Sequence, residues 1–180
     1  MHARQPGVAE GGSHVAKYME IRLEKRGVSC VARLLEYEAP ETCDIVWNAL
    51  PITADAWHAK YAMNEVYCLV PPIRGDAPGL ENSTIVPTTG DVVYFYFPKG
   101  HLARSFRDEK GMQDLPGVVD LAVFYGRNNF LFNPATGYVP GNVYATIVEG
   151  LEEMAAAMHD VWRSGSVGEQ LTYRRIEDRT

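Results

Sequence analysis

A chain of 180 residues with 46% hydrophobic and 22% charged residues has the size of one ordinary soluble domain, large enough to bury most of its apolar surface. Its formal net charge of -6 and pI of about 5.4 argue against nucleic-acid binding, because backbone phosphates need clustered Lys and Arg. Three cysteines, Cys30, Cys43 and Cys68, are odd in number, far apart and each set in an apolar stretch. They predict reduced buried thiols and a cytoplasmic protein rather than a disulfide framework, and no run of about 18 apolar residues is present to span a bilayer.

Residues 1–17 lack the apolar region of a signal peptide and read as a loosely held or disordered tail, followed by a single domain over 18–180. From Tyr18 the chain alternates Met19, Ile21, Leu23, then Val28, Cys30, Ala32, Leu34 about an Arg26-Gly27 turn, the period of a β-hairpin. In "APETCDIVWNALP", Pro40 stands where a first-turn proline loses no hydrogen bond, and Cys43, Val46, Trp47 and Leu50 make one apolar helical stripe closed by Pro51. The runs "AWHAKY", "EVYCLV" and "GDVVYFYF" read as strands parted by turns at Ala62–Asn64 and Pro71-Pro72. The polar stretch from His101 to Gly117 reads as a surface loop. "VVDLAVFYG" and "NVYATIV" are two more strands around the turn-rich "NPATGYVPG". A second helix carries Leu151, Met154, Ala155, Met158 and Trp162 as its apolar stripe and stops at Gly165, and "QLTYRRI" is the closing strand. Many strands with only two helices predict a closed or nearly closed antiparallel barrel whose ends the helices cover.

In chain order, "VARLLEYEAPETCDIVWNALP", "WHA", "ENSTIVPTTGDVV" and "VYATIVEGLEEM" resemble successive segments of the cyclophilins. The resemblance covers 18–178 and implies a mainly β, cyclophilin-like closed antiparallel eight-stranded barrel capped by two α-helices. It also implies where prolyl isomerase chemistry would sit. Cyclophilins place an arginine after the histidine of the "WHA" position to hydrogen-bond the reacting amide, and this chain has Ala59 there, a methyl group with no donor. Lys60 is next door, but an ammonium does not reproduce a planar guanidinium fork. The Gln-Gly-Gly-Asp run is replaced by "LVPPIRG", the Ser-Gln-Phe-Phe segment by "LAVFYGR", and "NPATGYVPGN" has neither pocket tryptophan nor histidine, leaving Tyr138 as the aromatic bulk available. Ala39–Thr42, His58–Lys60, Glu81–Ser83, Gly90-Asp91 and Gly141–Ile147 are more similar to short bacterial cyclophilin-like barrels of unknown function.

His58, His101, His159, Glu65 and Asp91 fall into no metal-ligand spacing, no Ser-His-Asp or Cys-His arrangement is visible, and neither a metal, a cofactor nor a catalytic residue is expected. Glu81-Asn82 reads first as a hydrogen-bonding turn. In "VVYFYF", Tyr94 and Tyr96 share one face and Phe95 and Phe97 the other; one face must be core, and the second would present rings to a groove or partner. Lys60, Tyr67 and Arg127 could anchor a carboxylate or peptide carbonyl there. The expected ligand site is therefore His58, Lys60, Tyr67, Tyr94, Tyr96 and Arg127. Three readings follow: a non-enzymatic barrel binding a small anionic ligand or short peptide, a prolyl isomerase with a displaced base, or a structural homo-oligomer, with a dimer favoured.

Overall fold

The computed structural model describes residues 15–75, 77–102 and 111–177. Its elements in chain order are β1 (Tyr18–Leu23), β2 (Val28–Leu34), α1 (Pro40–Ala49), β3 (Ile52–His58), β4 (Glu65–Val70), β5 (Ser83–Thr84) and β6 (Asp91–Pro98). After these come β7 (Gly117–Phe124), β8 (Phe132–Asn133), β9 (Gly137–Tyr138), β10 (Gly141–Glu149), α2 (Leu151–Ser164) and β11 (Gln170–Ile176). The strands run β2-β1-β11-β3-β4-β7-β6-β10, every pairing is antiparallel, and β10 returns to β2. The protein is thus mainly β, a closed eight-stranded antiparallel barrel with two helices, as the order of elements predicts. The two-residue β5 adds to one end of β10, and β8 and β9 form a small hairpin of their own.

Alternation along the strands sorts side chains to two sides of the wall. Met19, Ile21, Leu23, Ala32, Val66, Cys68, Val92, Tyr94, Leu121 and Tyr173 face the barrel interior and pack with Cys43 and Val46 of α1 and Met154, Met158 and Val161 of α2. The helices close opposite mouths. α1 lies at the Tyr18 end of β1, where Arg175 donates to the Trp47 carbonyl, and α2 lies at the β1–β2 turn, where Arg26 bonds Asp160 and Ser164. Arg26 also pairs with Glu169, whose buried carboxylate accepts the backbone N–H of Lys25.

Two glycines are required by sterics. Gly150 opens α2 at φ 73, and a Cβ there would meet the Ser29 carbonyl at 3.0 Å. A Cβ on Gly141 would lie 2.4 Å from the Phe95 ring, so glycine is what lets that ring lie across the start of β10.

α1 lacks a side-chain cap of its own, because its N-cap residue is Ala39. Glu81, far along the chain, supplies the acceptors instead, taking the N–H of Glu41 at 3.0 Å and of Thr42 at 2.8 Å, plus the Thr42 hydroxyl at 2.8 Å. Asn142 ties the arrangement to β10 by donating to Thr42 Oγ1 and the Gly79 carbonyl. Burial alone would raise the Glu81 carboxyl, but these donors hold it below the ordinary carboxylate range. The Glu81-Asn82 turn expected from the sequence is therefore also the cap of a distant helix.

Several sequence expectations shift. The strand read from "AWHAKY" runs instead from Ile52 to His58, directly after the cis Leu50–Pro51 bond, and Ala59–Tyr61 lie beyond its end. Trp162 is 61% exposed because Val161, seven residues after Met154 and three after Met158, takes the inward position. The expected tail falls largely outside the described residues, but Lys17 is fixed by an ion pair with Glu36; residues 103–110 of the expected 101–117 loop likewise lie outside them, and Gly117 already begins β7.

Replacing Glu81 with Ala removes the acceptors of two helix N–H groups and a hydroxyl; urea denaturation is expected to show a loss of about 1–2 kcal/mol, and an unchanged midpoint would refute the capping role.

Candidate functional site

The barrel wall has a second covered side. On the outer face of β4, β7, β6 and β10, Val93, Phe95, Ala122, Phe124 and Val143 form a separate apolar cluster with Leu131, and Tyr67, Phe97, Ala62, Ile85 and Val139 pack against it. Strand registers set these residues in rows. One row reads Trp57–Tyr67–Ala122–Val93–Val143, and the next reads Leu69–Asp120–Phe95. Glu65 stands opposite Phe124 on the same face. Ala122, the smallest side chain of its row, is fully buried between Tyr67 and Val93.

Two carboxyl groups lie in this otherwise apolar layer. Glu65 is 5% exposed and Asp120 6%, and Asp120 Oδ1 has no hydrogen-bond partner among the described residues. Burial pushes Glu65 up to about 8; burial and then the nearby Glu65 charge push Asp120 well above the carboxylate range. Tyr67, between them on the face, is held far above the usual phenol value by burial first and then by both acids. Burial thus disfavours the charged form of both acids.

The residues singled out from the sequence divide over both sides of the wall. Tyr67 is on this outer face, whereas Tyr94 and Tyr96 turn into the barrel. On β6 Tyr94 is buried toward the core and Phe95 toward Leu131, while Phe97, on the face expected to offer rings to a groove or partner, is half-buried. His58 ends β3 at the mouth under α2. A carbonyl can only accept, so its Nδ1–H donates to Ala59 O at 2.9 Å and Nε2 accepts the Tyr125 hydroxyl at 2.6 Å. Burial, helped by neighbouring His159, lowers its basicity against the opposing bond to Ala59. Lys60 and Arg127 are exposed on loops after β3 and β7. Those loops are stitched together: Asn64 donates to the Arg127 carbonyl at 2.7 Å, and buried Asn129 accepts from Asn64 N–H and donates to the Pro87 and Gly126 carbonyls.

Sequence reasoning missed Asp120 as a site residue and set Glu65 aside as a paper metal ligand; the available signal was a charged residue inside the apolar run "VVDLAVF". It also missed the β8–β9 hairpin, on which Leu131 and Val139 turn inward while Phe130, Phe132 and Tyr138 stack against one another at the surface, with centroids 5.5–6.1 Å apart.

Other sites carry less. Burial raises the Cys30 and Cys43 thiols to about 12 and Cys68 further, so none is an activated nucleophile. Among the described residues no three His, Cys, Asp or Glu side chains converge to hold a metal, and no helix is long and apolar enough to cross a membrane. A cleft of about 400 Å³ across β1, β2 and β11 is lined by Glu20, Glu149, Arg174 and Arg175. Arg174 is paired with Glu20 and Glu24 and Arg175 with the Trp47 carbonyl, so its basic groups are already engaged.

The barrel and this outer face span the region matched by one family model, a protein family of unknown function, DUF3830, over residues 21–173. The chain belongs to that family. Among solved structures it is similar to McbB in complex with tryptophan, with a TM-score of 0.55 at 20% identity over 90% of this chain and 46% of McbB. The chain thus spans less than half of McbB, and the likeness is one of fold. The solution structure of the hypothetical protein AF2241 from Archaeoglobus fulgidus matches 93% of this chain and 100% of its own, at 23% identity and a TM-score of 0.47. No curated protein matches this chain.

The acid pair gives this DUF3830 member a defined pH response. A carboxyl raised by folding stabilises fully below its unfolded value near 4.5 and loses that contribution as pH rises toward 8. Between pH 5 and 8 the melting temperature of the wild type is expected to fall relative to Glu65→Gln, by no more than about 1.4 kcal/mol of stability per pH unit per proton. Parallel curves for the two proteins would rule out a raised Glu65 carboxyl.

Proposed function

We propose that this chain is a cyclophilin-like barrel that binds a small ligand or short peptide segment on its outer face over β3, β4, β7 and β6, and is not an efficient prolyl isomerase. The single observation carrying the reading is the composition of that face: Trp57, Tyr67 and Phe97 are half-buried over it, while Glu65 and Asp120 lie beneath with their carboxyls desolvated. Apolar walls around a few polar groups with displaced acidities are the usual make-up of a ligand site. A purely structural layer gains nothing from two buried acids, each of which costs several kcal/mol to desolvate when charged.

The charge of this face runs against the small anionic ligand expected from the sequence. Its interior groups are acids, and the basic candidates Lys60 and Arg127 sit on exposed loops at the end where β3 and β7 finish. Of the ring face on which the dimer reading rested, Phe95 is buried in the outer cluster and Phe97 is half-buried.

Against isomerase chemistry, Ala59 offers only its backbone N–H at the arginine position, and that group already donates to the Glu65 carbonyl at 3.0 Å. Isomerisation must lower a barrier of about 18–20 kcal/mol, and the basic candidates Lys60 and Arg127 sit on exposed loops. A cis-trans assay on a proline peptide is expected to show no turnover above background; turnover that disappears in Lys60→Ala or Arg127→Ala would replace this reading with a displaced-base isomerase. Ligand binding itself is expected to raise the melting temperature by mass action, and substitution of Tyr67 by Ala, which removes a half-buried ring of the face, is expected to weaken the rise.

A further inference from the structure

The β8–β9 hairpin leaves three aromatic rings at the surface in mutual contact. Phe130, Phe132 and Tyr138 are 45%, 41% and 63% exposed, although Leu131 and Val139 beside them pack inward. The Phe130 and Phe132 rings lie nearly parallel, at 11°, while Tyr138 stands across from both at 78° and 70°. Exposed Val86 lies beside Phe130, because the Ile85 carbonyl accepts the N–H of Leu131 and the Pro87 carbonyl accepts the side chain of Asn129. Exposed apolar groups gathered in this way mark a contact surface.

Shape, charge and size narrow the occupant. Rings at right angles make a notch rather than a flat platform, so a planar base or a sugar ring would meet only part of it. Residues 126–141 hold no acid and one cation, Arg127, and residues 84–90 hold no charge at all, in a chain of net charge -6. An uncharged ligand therefore suits the notch, whereas an anionic bilayer is repelled by the rest of the chain. Aromatic side chains bury about 150–250 Å² each, so three rings at these exposures offer about 300 Å². A stable dimer buries about 800 Å² on each partner, more than this surface can supply to a second copy. A short polyproline II segment meets all three conditions: it is stiff, loses little entropy on binding, carries apolar rings around its axis and leaves its carbonyls without partners inside the helix. Tyr138 brings a hydroxyl that can donate to one of those carbonyls.

We propose that the β8–β9 hairpin is a docking site for an uncharged proline-rich peptide segment, seated in the notch between Phe130, Phe132 and Tyr138. This site stands apart from the barrel face over β3, β4, β7 and β6, since its rings are turned to solvent while Leu131 and Val139 face the outer cluster.

The test is calorimetric titration of the full chain with two uncharged, end-blocked probes, a decaproline peptide and a Gly-Ser decapeptide. Decaproline is expected to bind at least tenfold more tightly than the Gly-Ser peptide. Phe132→Ala and Tyr138→Ala are each expected to weaken it at least tenfold with the circular dichroism of the barrel unchanged, and Tyr67→Ala to leave it as it is in the wild type. Equal binding of the two peptides, or binding of neither, would overturn the hairpin site without touching the outer-face reading. Decaproline binding lost in Tyr67→Ala but kept in Tyr138→Ala would overturn it in favour of the outer face. A dimer in sedimentation that Phe132→Ala dissolves, or pelleting with phosphatidylcholine vesicles that Phe132→Ala prevents, would give the notch another occupant and equally overturn the peptide.

Discussion

Everything in this molecule depends on the pairing of β2 with β10. Leu34 opposite Ala145 and Ala32 opposite Ile147 join the two strands that would otherwise be sheet edges, and a closed wall has no edge left to aggregate. Closure also creates the division into a dry interior and an outer face, without which the alternation along each strand would have nowhere to place its second set of apolar residues. β10 bears the stress of this arrangement. Its register slips between Ile147 and Glu149 against β2 and between Val143 and Ala145 against β6, and between the latter two sits Tyr144, turned into the core with no hydrogen-bond partner for its hydroxyl among the described residues. Such bulges bend a strand, as closing a barrel requires.

The same strand joins structure to site. Asn142, near its start, holds Thr42 of α1 and the segment carrying Glu81, while Val143 next to it ends the row that begins at Trp57. The outer face is therefore built on the part of the wall most firmly tied to its surroundings. Positioned side chains on rigid strands suit ligand recognition better than the same side chains on loops. The described loops at the Glu65 end are themselves fastened, through Asn129, to three separate backbone segments.

Much of the fold was legible in the sequence. The β1–β2 hairpin, β4 and β11 show in period-two or apolar runs, and the limits of α1 show in Pro40 and Pro51. What stayed hidden depends on contacts between distant residues. The two-residue strands β5 and β8–β9 are too short for any periodicity to register. The cap of α1 is a glutamate 40 residues away. Trp162 reads as apolar stripe because Val161 beside it serves the pattern nearly as well. At the site, sequence showed which residues alternate along β6 but not that both sides of the strand are covered, so Tyr94 and Tyr96 were grouped with Tyr67 although the wall separates them. Asp120 is hard to single out in sequence because a lone acid in "VVDLAVF" reads as one more position of a strand, and only the structure shows that its seven strand neighbours are all buried.

The β8–β9 hairpin hydrogen-bonds to itself in a ladder separate from the barrel and touches the outer cluster through little more than Leu131 and Val139. It is therefore a module, anchored by two side chains while the tip carrying Thr136 and Gly137 is free of any duty in closing the wall. Length and composition there can change without disturbing the strands that hold Glu65 and Asp120. That makes the hairpin the natural point for grafting: a lengthened or re-sequenced tip would reshape the border of the outer face while the scaffold beneath kept its register.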